Sequence, residues 1–148
     1  MLYNVRIEQT NDYPKRMKYI PETDSFVEKD CDSLSYHRGV YQYPYGWMME
    51  SGTPPSPHLD VMILTDKHYE LGDVAKVRII GVFVRNDGDH KLMSVLEDRD
   101  ITEFEQLTEE EKDNLHKLYP YVFEGEGWFG SEVAKKVVDD FFGGKNNA

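Results

Sequence analysis

The stretch Asp73–Val95, DVAKVRIIGVFVRNDGDHKLMSV, decides how the rest of the chain is read. Val74, Val77, Ile79, Ile80, Val82, Phe83 and Val84 are β-branched or aromatic, and the run is framed by Gly72 and by Asn86-Asp87-Gly88. It is too short for a buried helix and predicts a strand. Asn, Asp and Gly tolerate positive φ, so residues 86–88 predict a hairpin turn, with Lys91–Val95 as the returning strand. Asp87, Asp89 and Lys91 then gather at one hairpin end. Two carboxylates about 4 Å apart repel by roughly 4 kcal/mol at an effective dielectric near 20. Such a pair needs a proton, a lysine or a metal between its members. The alternative is that Asp87 starts the turn, Asp89 is solvated and Lys91 screens both.

Upstream, Leu2, Val5 and Ile7 alternate with polar residues as a first strand ended by Thr10-Asn11-Asp12. Lys15, Arg16 and Lys18 follow and suit a solvated edge, where lysine discourages pairing with other chains. Pro21–Asp24 reads as a turn and Ser25–Lys29 as a short strand. In Gly39–Met49, Tyr41, Tyr43, Tyr45 and Trp47 share one face of an extended segment. Residues 50–58, ESGTPPSPH, hold three prolines and predict a loop. Leu59–Leu64 resumes as a strand in which Asp60 faces either solvent or a polar site at the strand end. Downstream, Thr108 with Glu111 forms a capping box for a helix that carries Leu115 and Leu118 and stops at Pro120. Gly125–Gly130 predicts a turn around Trp128. Ser131 is expected to cap a final helix closed by Gly143-Gly144, leaving residues 143–148 as a frayed tail.

At 148 residues, the length suits one domain spanning 1–148, large enough to need no staples. Cys31 stands alone with an aspartate on either side, so there is no disulfide framework, no CxxC metal site and little prospect of a nucleophile. The N-terminus lacks leader features, which together with the single cysteine predicts a cytoplasmic protein, and no stretch approaches a membrane span. With 28 acids against 17 lysines and arginines, the formal charge of -11 argues against nucleic acid and anionic membranes as partners. An anionic ligand would need lysines or bound cations to reverse the field locally.

The order of these pieces resembles that of the soluble family I inorganic pyrophosphatases, from about Val5 to the last helix. Tyr41-Gln42-Tyr43-Pro44-Tyr45-Gly46 followed by Leu59-Asp60-Val61 is similar to the family's tyrosine motif and acidic strand. Arg78-Ile79-Ile80-Gly81-Val82, then Asp87, then Asp89-His90-Lys91, resembles its next strand and acids. Ile101, Phe104 and Leu107, and then Gly127-Trp128, recur at the family's spacing. The resemblance implies an α+β, mainly β fold: a five-stranded OB-like barrel with two or three flanking helices. It implies Mg²⁺-dependent hydrolysis of inorganic pyrophosphate, with Asp60, Asp87 and Asp89 as metal ligands. Lys15, Lys29, Lys91 and Tyr45 would contact phosphate, and Asp60, Asp87 and Tyr45 would serve catalysis. The family forms dimers and hexamers, which makes a homo-oligomer an expectation.

The chain also departs from the family pattern. Pro55 and Pro57 stand where the first two strand acids are expected, Arg6 and Met17 where glutamates are expected, and Val122-Phe123 where the family has Tyr-Lys. Glu8 can substitute for a glutamate after a small shift, and Lys29 replaces an arginine, giving up its bidentate fork. His58 and Glu50 are candidates for added ligands from the proline-rich loop. Three functional readings therefore stand side by side. The chain hydrolyses pyrophosphate or another small phosphoanhydride such as a nucleotide diphosphate, it binds a phospholigand on a catalytically degenerate scaffold, or it is a plain acidic barrel.

Overall fold

A computed structural model describes residues 1–13, 15–28, 43–119 and 122–146. Its organising strand is β6, Val74–Val84, an 11-residue run rich in β-branched residues. On one edge it pairs antiparallel with β7, Lys91–Leu96, from Val77 opposite Leu96 to Phe83 opposite Lys91, with an irregularity between Ile79 and Gly81. Its other edge is shared. The first half, Val74–Arg78, pairs with β1, Leu2–Gln9. The ring continues from β1 to β4, Tyr45–Met48, and from β4 to β5, Asp60–Ile63, both antiparallel. β5 then meets β7 in parallel, which closes a five-stranded mixed barrel in the order β1-β4-β5-β7-β6. The barrel agrees with the expected fold. A separate hairpin of β2, Met17–Ile20, and β3, Ser25–Glu28, covers part of the outside.

Both faces of the central strands are covered, which is why β5 and β7 are apolar almost throughout. Val61, Ile63 and Leu92 pack in one core group with Ala134 and Val138 of helix α2, Ser131–Asn146. Met62, Leu64 and Met93 pack in the other with Leu115 and Leu118 of helix α1, Glu109–Leu118. The α1 capping box forms as expected, with Thr108 Oγ1 accepting from the Glu111 N–H at 3.1 Å and the Glu111 side chain accepting from the Thr108 N–H at 3.0 Å.

Three sequence expectations need correction. Residues 127–130 are not a turn but a strand, β8, that pairs with Gly81–Val84 of β6. Beyond Arg78 the β1 pairing ends, and the bare backbone edge of β6 needs a partner. Gly81 permits the approach, since a Cβ there would lie 2.7 Å from the Phe129 carbonyl oxygen. Second, Ser131 is not the cap of α2. It is the first residue of the helix, and its N–H donates to Glu103 Oε1 at 2.8 Å while its hydroxyl donates to Glu103 Oε2. Third, α2 does not close at Gly143-Gly144 but runs on to Asn146.

Candidate active site

The parallel pairing of β5 with β7 makes Asp60 and Lys91 direct neighbours, each the first residue of its strand. Asp60 therefore does not face bulk solvent. Lys91 is 7% exposed, and its ammonium donates to Asp60 Oδ2 at 2.8 Å, to Asp89 Oδ2 at 3.0 Å and to the Tyr45 hydroxyl at 3.1 Å. Three donors meet three oxygens, so the buried charge is fully satisfied. The second Asp60 oxygen, Oδ1, lies 3.1 Å from His58 Nε2, while His58 Nδ1 is 2.8 Å from the Ser56 carbonyl. Burial pushes the Asp60 carboxyl up, but His58 and Lys91 outweigh it and hold the group well below the usual carboxylate range. The Asp60 partner raises the His58 imidazole against the effect of its burial. Glu8, buried at the far end of β1, is raised by desolvation, with Arg16 opposing and Asp60 adding to the rise.

These groups open onto a cavity of about 580 Å³. Its walls are Glu8, Arg16 and Lys18, residues 19–22 of the β2–β3 hairpin, residues 54–58 of the proline-rich loop, and Asp60, Asp89 and Lys91. Another cavity, of about 610 Å³, lies beside Tyr43, Arg99 and Asn114. It is slightly larger, but the chemistry favours the first. Arg99, the one cation on the walls of the second cavity, is held by Glu111 through two contacts of 2.7 Å.

The structure brings together part of the expected set. Asp60, Asp89 and Lys91 converge as the resemblance implied. Asp87 does not line the cavity: its side chain lies 3.3 Å from Arg85 and accepts from the Asp89 N–H at 2.9 Å. That N–H is the main cause holding the Asp87 carboxyl below its usual value. Tyr45 is 1% exposed and stands behind Lys91 rather than on the cavity wall. Burial holds its phenol far above the ordinary value. Lys15 is exposed and off the wall, whereas Arg16 is on it, with its guanidinium 5.6 Å from the centre of the Tyr45 ring. The signal for Arg16 was the period of two: Arg16 and Lys18 share a face opposite buried Met17 and Tyr19. Glu50 is spent on Asn4, accepting from its N–H at 3.0 Å and from Nδ2 at 2.9 Å. Lys29 and Tyr41 lie outside the described residues.

A divalent cation fits this donor set in a reduced form. Among the described residues no group of three or more His, Cys, Asp or Glu side chains is arranged to hold a metal ion, so the three-aspartate cluster is not assembled. Asp60 and Asp89 nevertheless aim at one point, where the Lys91 ammonium now sits. Mg²⁺ commonly takes only one or two carboxylates from a protein and completes its shell with water and substrate phosphate. The wall charge points the same way. Among the described residues, four carboxylates, Glu8, Glu22, Asp60 and Asp89, line the cavity beside three fixed cations, Arg16, Lys18 and Lys91, a balance that favours a polyanionic ligand arriving with positive charge.

Comparison with known proteins agrees with this fold. The structure is similar to an inorganic phosphatase from Anaplasma phagocytophilum, with 20% sequence identity and a TM-score of 0.73 over 93% of this chain and 90% of that one. It is similar to inorganic pyrophosphatases from Ehrlichia chaffeensis (20% identity, TM-score 0.72, 94% and 92% covered) and Helicobacter pylori (20%, 0.69, 93% and 89%). No curated protein sequence matches the chain. Among the described residues no helix is long and apolar enough to cross a membrane. The family model described as inorganic pyrophosphatase matches residues 5–142, nearly the whole chain. By that match the chain belongs to the inorganic pyrophosphatase family of phosphoanhydride hydrolases.

Proposed function

We propose that the chain hydrolyses inorganic pyrophosphate to two phosphates in a Mg²⁺-dependent reaction at the cavity beside Asp60 and Lys91. The observation that carries this reading is the convergence of Asp60, Asp89 and Lys91 on one point of the cavity wall. Phosphoryl transfer is mainly positioning and charge stabilisation, and the wall offers both. Asp60 and Asp89 would hold the cation, which when bound supplies Lewis-acid charge for phosphoryl oxygens and acidifies water.

The protein's own groups divide the remaining work. Arg16 and Lys18 provide donors for phosphate oxygens, and Lys91, its three N–H groups engaged, adds its positive charge. Tyr45 holds the Lys91 ammonium in place, and His58 holds the second oxygen of Asp60. Asp87 fixes the Asp89 backbone and acts through that residue. Glu8, with its carboxyl raised by burial, is the wall group best suited to accept a proton from attacking water. Lys29 keeps the phosphate-binding role implied by the resemblance, and a cytoplasmic, homo-oligomeric protein built as one domain belongs to the same reading.

That the described residues assemble no three-carboxylate group favours one second reading, a phospholigand-binding module without turnover. Phosphate release from pyrophosphate, titrated with Mg²⁺ and repeated in chelator, separates the two. Saturable Mg²⁺-dependent release supports the hydrolase, and pyrophosphate binding without release supports the module.

A further inference from the structure

The cavity has a wall that inorganic pyrophosphate does not use. Of its lining, Ile20 and Pro21 come from the β2–β3 hairpin and its turn, and Pro54, Pro55 and Pro57 from the loop before β5. Pro55 and Pro57 are exposed. They present carbon to a space that Lys91, Arg16 and Asp60 also line. A volume of about 580 Å³ lies within the range of pockets that enclose ligands with an organic skeleton, roughly 300–1,000 Å³. Inorganic pyrophosphate has no carbon and seeks polar partners on all sides, so proline rings offer it nothing and displace groups that could.

The same side chains also shape the charge of the site. Ile20, Pro21, Pro54, Pro55 and Pro57 are uncharged, so this part of the wall gathers no cations. A diphosphate with a carbon substituent on its inner phosphate has one ionisable oxygen fewer than inorganic pyrophosphate. It needs less counter-charge.

We propose that the site also hydrolyses diphosphate esters, with the organic substituent resting on Ile20, Pro21, Pro54, Pro55 and Pro57 while the terminal phosphate meets Lys91 and Arg16. The inference rests on the hydrolytic reading above. Water oxygen forms the new bond to the terminal phosphorus as the bridging P–O bond breaks. The bridging electron pair stays on the inner phosphate, and the water proton passes to the solvent through a wall carboxylate. The products are a phosphate monoester and inorganic phosphate.

Phosphate release is measured with Mg²⁺ for inorganic pyrophosphate, ADP and isopentenyl diphosphate, using wild type and the Pro55→Asp/Pro57→Asp double variant. The two organic probes distinguish a nucleoside from an alkyl substituent. At least one is expected to reach kcat/KM within about tenfold of the inorganic substrate, and the double variant to lose about tenfold on that probe relative to pyrophosphate. Calorimetry with non-hydrolysable α,β-methylene-ADP or the corresponding methylene analogue of the alkyl probe is expected to show saturable binding weakened by the same substitutions. Turnover of pyrophosphate with neither organic probe cleaved overturns this inference and leaves the hydrolase intact. So does a double variant that affects all three substrates and analogue binding equally. Turnover of no substrate overturns both readings, whereas cleavage of an organic probe alone supports the inference.

Discussion

Asp60 and Lys91 are Cα partners in the one parallel pairing among the described strands, and the Lys91 ammonium lies 2.8 Å from Asp60 Oδ2. A parallel ladder starts both strands at the same end of the sheet, so an acid that opens one strand and a lysine that opens the other share a single mouth. Both side chains are largely withdrawn from water, at 13% and 9% exposure. Removing Lys91 leaves the buried Asp60 carboxylate with His58 as its remaining partner among the described residues. Lys91→Met is expected to cost about 3 kcal/mol in urea unfolding, in line with other broken buried pairs. A loss below about 1 kcal/mol would mean that water reaches the carboxylates freely.

Arg6 ties the β2–β3 hairpin to the barrel. Its guanidinium lies 5.2, 5.7 and 5.9 Å from the ring centres of Tyr19, Phe26 and Trp47, and it donates to Asp24 Oδ1 at 2.8 Å and to the Gly72 carbonyl at 3.2 Å. Arg6→Ala is expected to lose about 2 kcal/mol of stability, through cation–π and packing contacts together. Because the same hairpin supplies Lys18 and residues 19–22 to the cavity wall, KM for pyrophosphate is expected to rise more than kcat falls. Steady-state kinetics on the purified variant read the two separately.

The Arg99–Glu111 pair makes part of the acid stability predictable. Burial raises the Glu111 carboxyl, but Arg99 and the Thr108 N–H overcome it, and the folded group sits below its ordinary value of 4.5. A depressed carboxylate contributes stability above its unfolded pKa and loses it as pH falls through the folded one. Thermal unfolding of Glu111→Gln against wild type is therefore expected to show its largest gap at pH 6–7 and a narrowing gap below about pH 4.5. A gap that widens on acidification would contradict the assignment.

Gly46 marks the closest approach in the barrel. A Cβ there would lie 1.8 Å from the backbone carbonyl oxygen of Arg6, which pairs across β1 and β4. No side-chain movement relieves a clash with backbone. Gly46→Ala is expected to lose about 3 kcal/mol or more, or to fail to fold, as read by circular dichroism and urea titration.

The barrel was legible wherever apolar periodicity and local chemistry agreed. The β-branched run through Val74–Val84, the Asn86-Asp87-Gly88 turn and the Thr108–Glu111 box each carry their own structural instruction. Asp60 was legible as an acid placed at the start of an apolar strand. β8 was hidden because Gly127-Trp128-Phe129-Gly130 has two glycines, and only the vacant edge of β6 makes it a strand. The last helix passes Gly143-Gly144 although glycine costs about 1 kcal/mol at each helical position relative to alanine. Phe141 and Phe142, packed against the core group just before, anchor that turn. The exchange of Lys15 for Arg16 is a one-residue matter of register, and in an extended segment one residue changes the face. That Asp87 turns to Arg85 and the Asp89 N–H instead of lining the cavity is a pairing that spacing alone does not reveal.

The central claim is that Asp60 serves chemistry at this cavity and not merely the packing of the β5–β7 junction. Asp60→Asn keeps the size of the side chain and one acceptor for Lys91 while removing the charge. The deciding measurement is kcat/KM for Mg²⁺-dependent pyrophosphate hydrolysis by this variant and by wild type, with folding checked by circular dichroism. The account predicts a fall of about a hundredfold or more, equivalent to roughly 2.7 kcal/mol of transition-state stabilisation. A folded variant that stays within about threefold of wild type would contradict it.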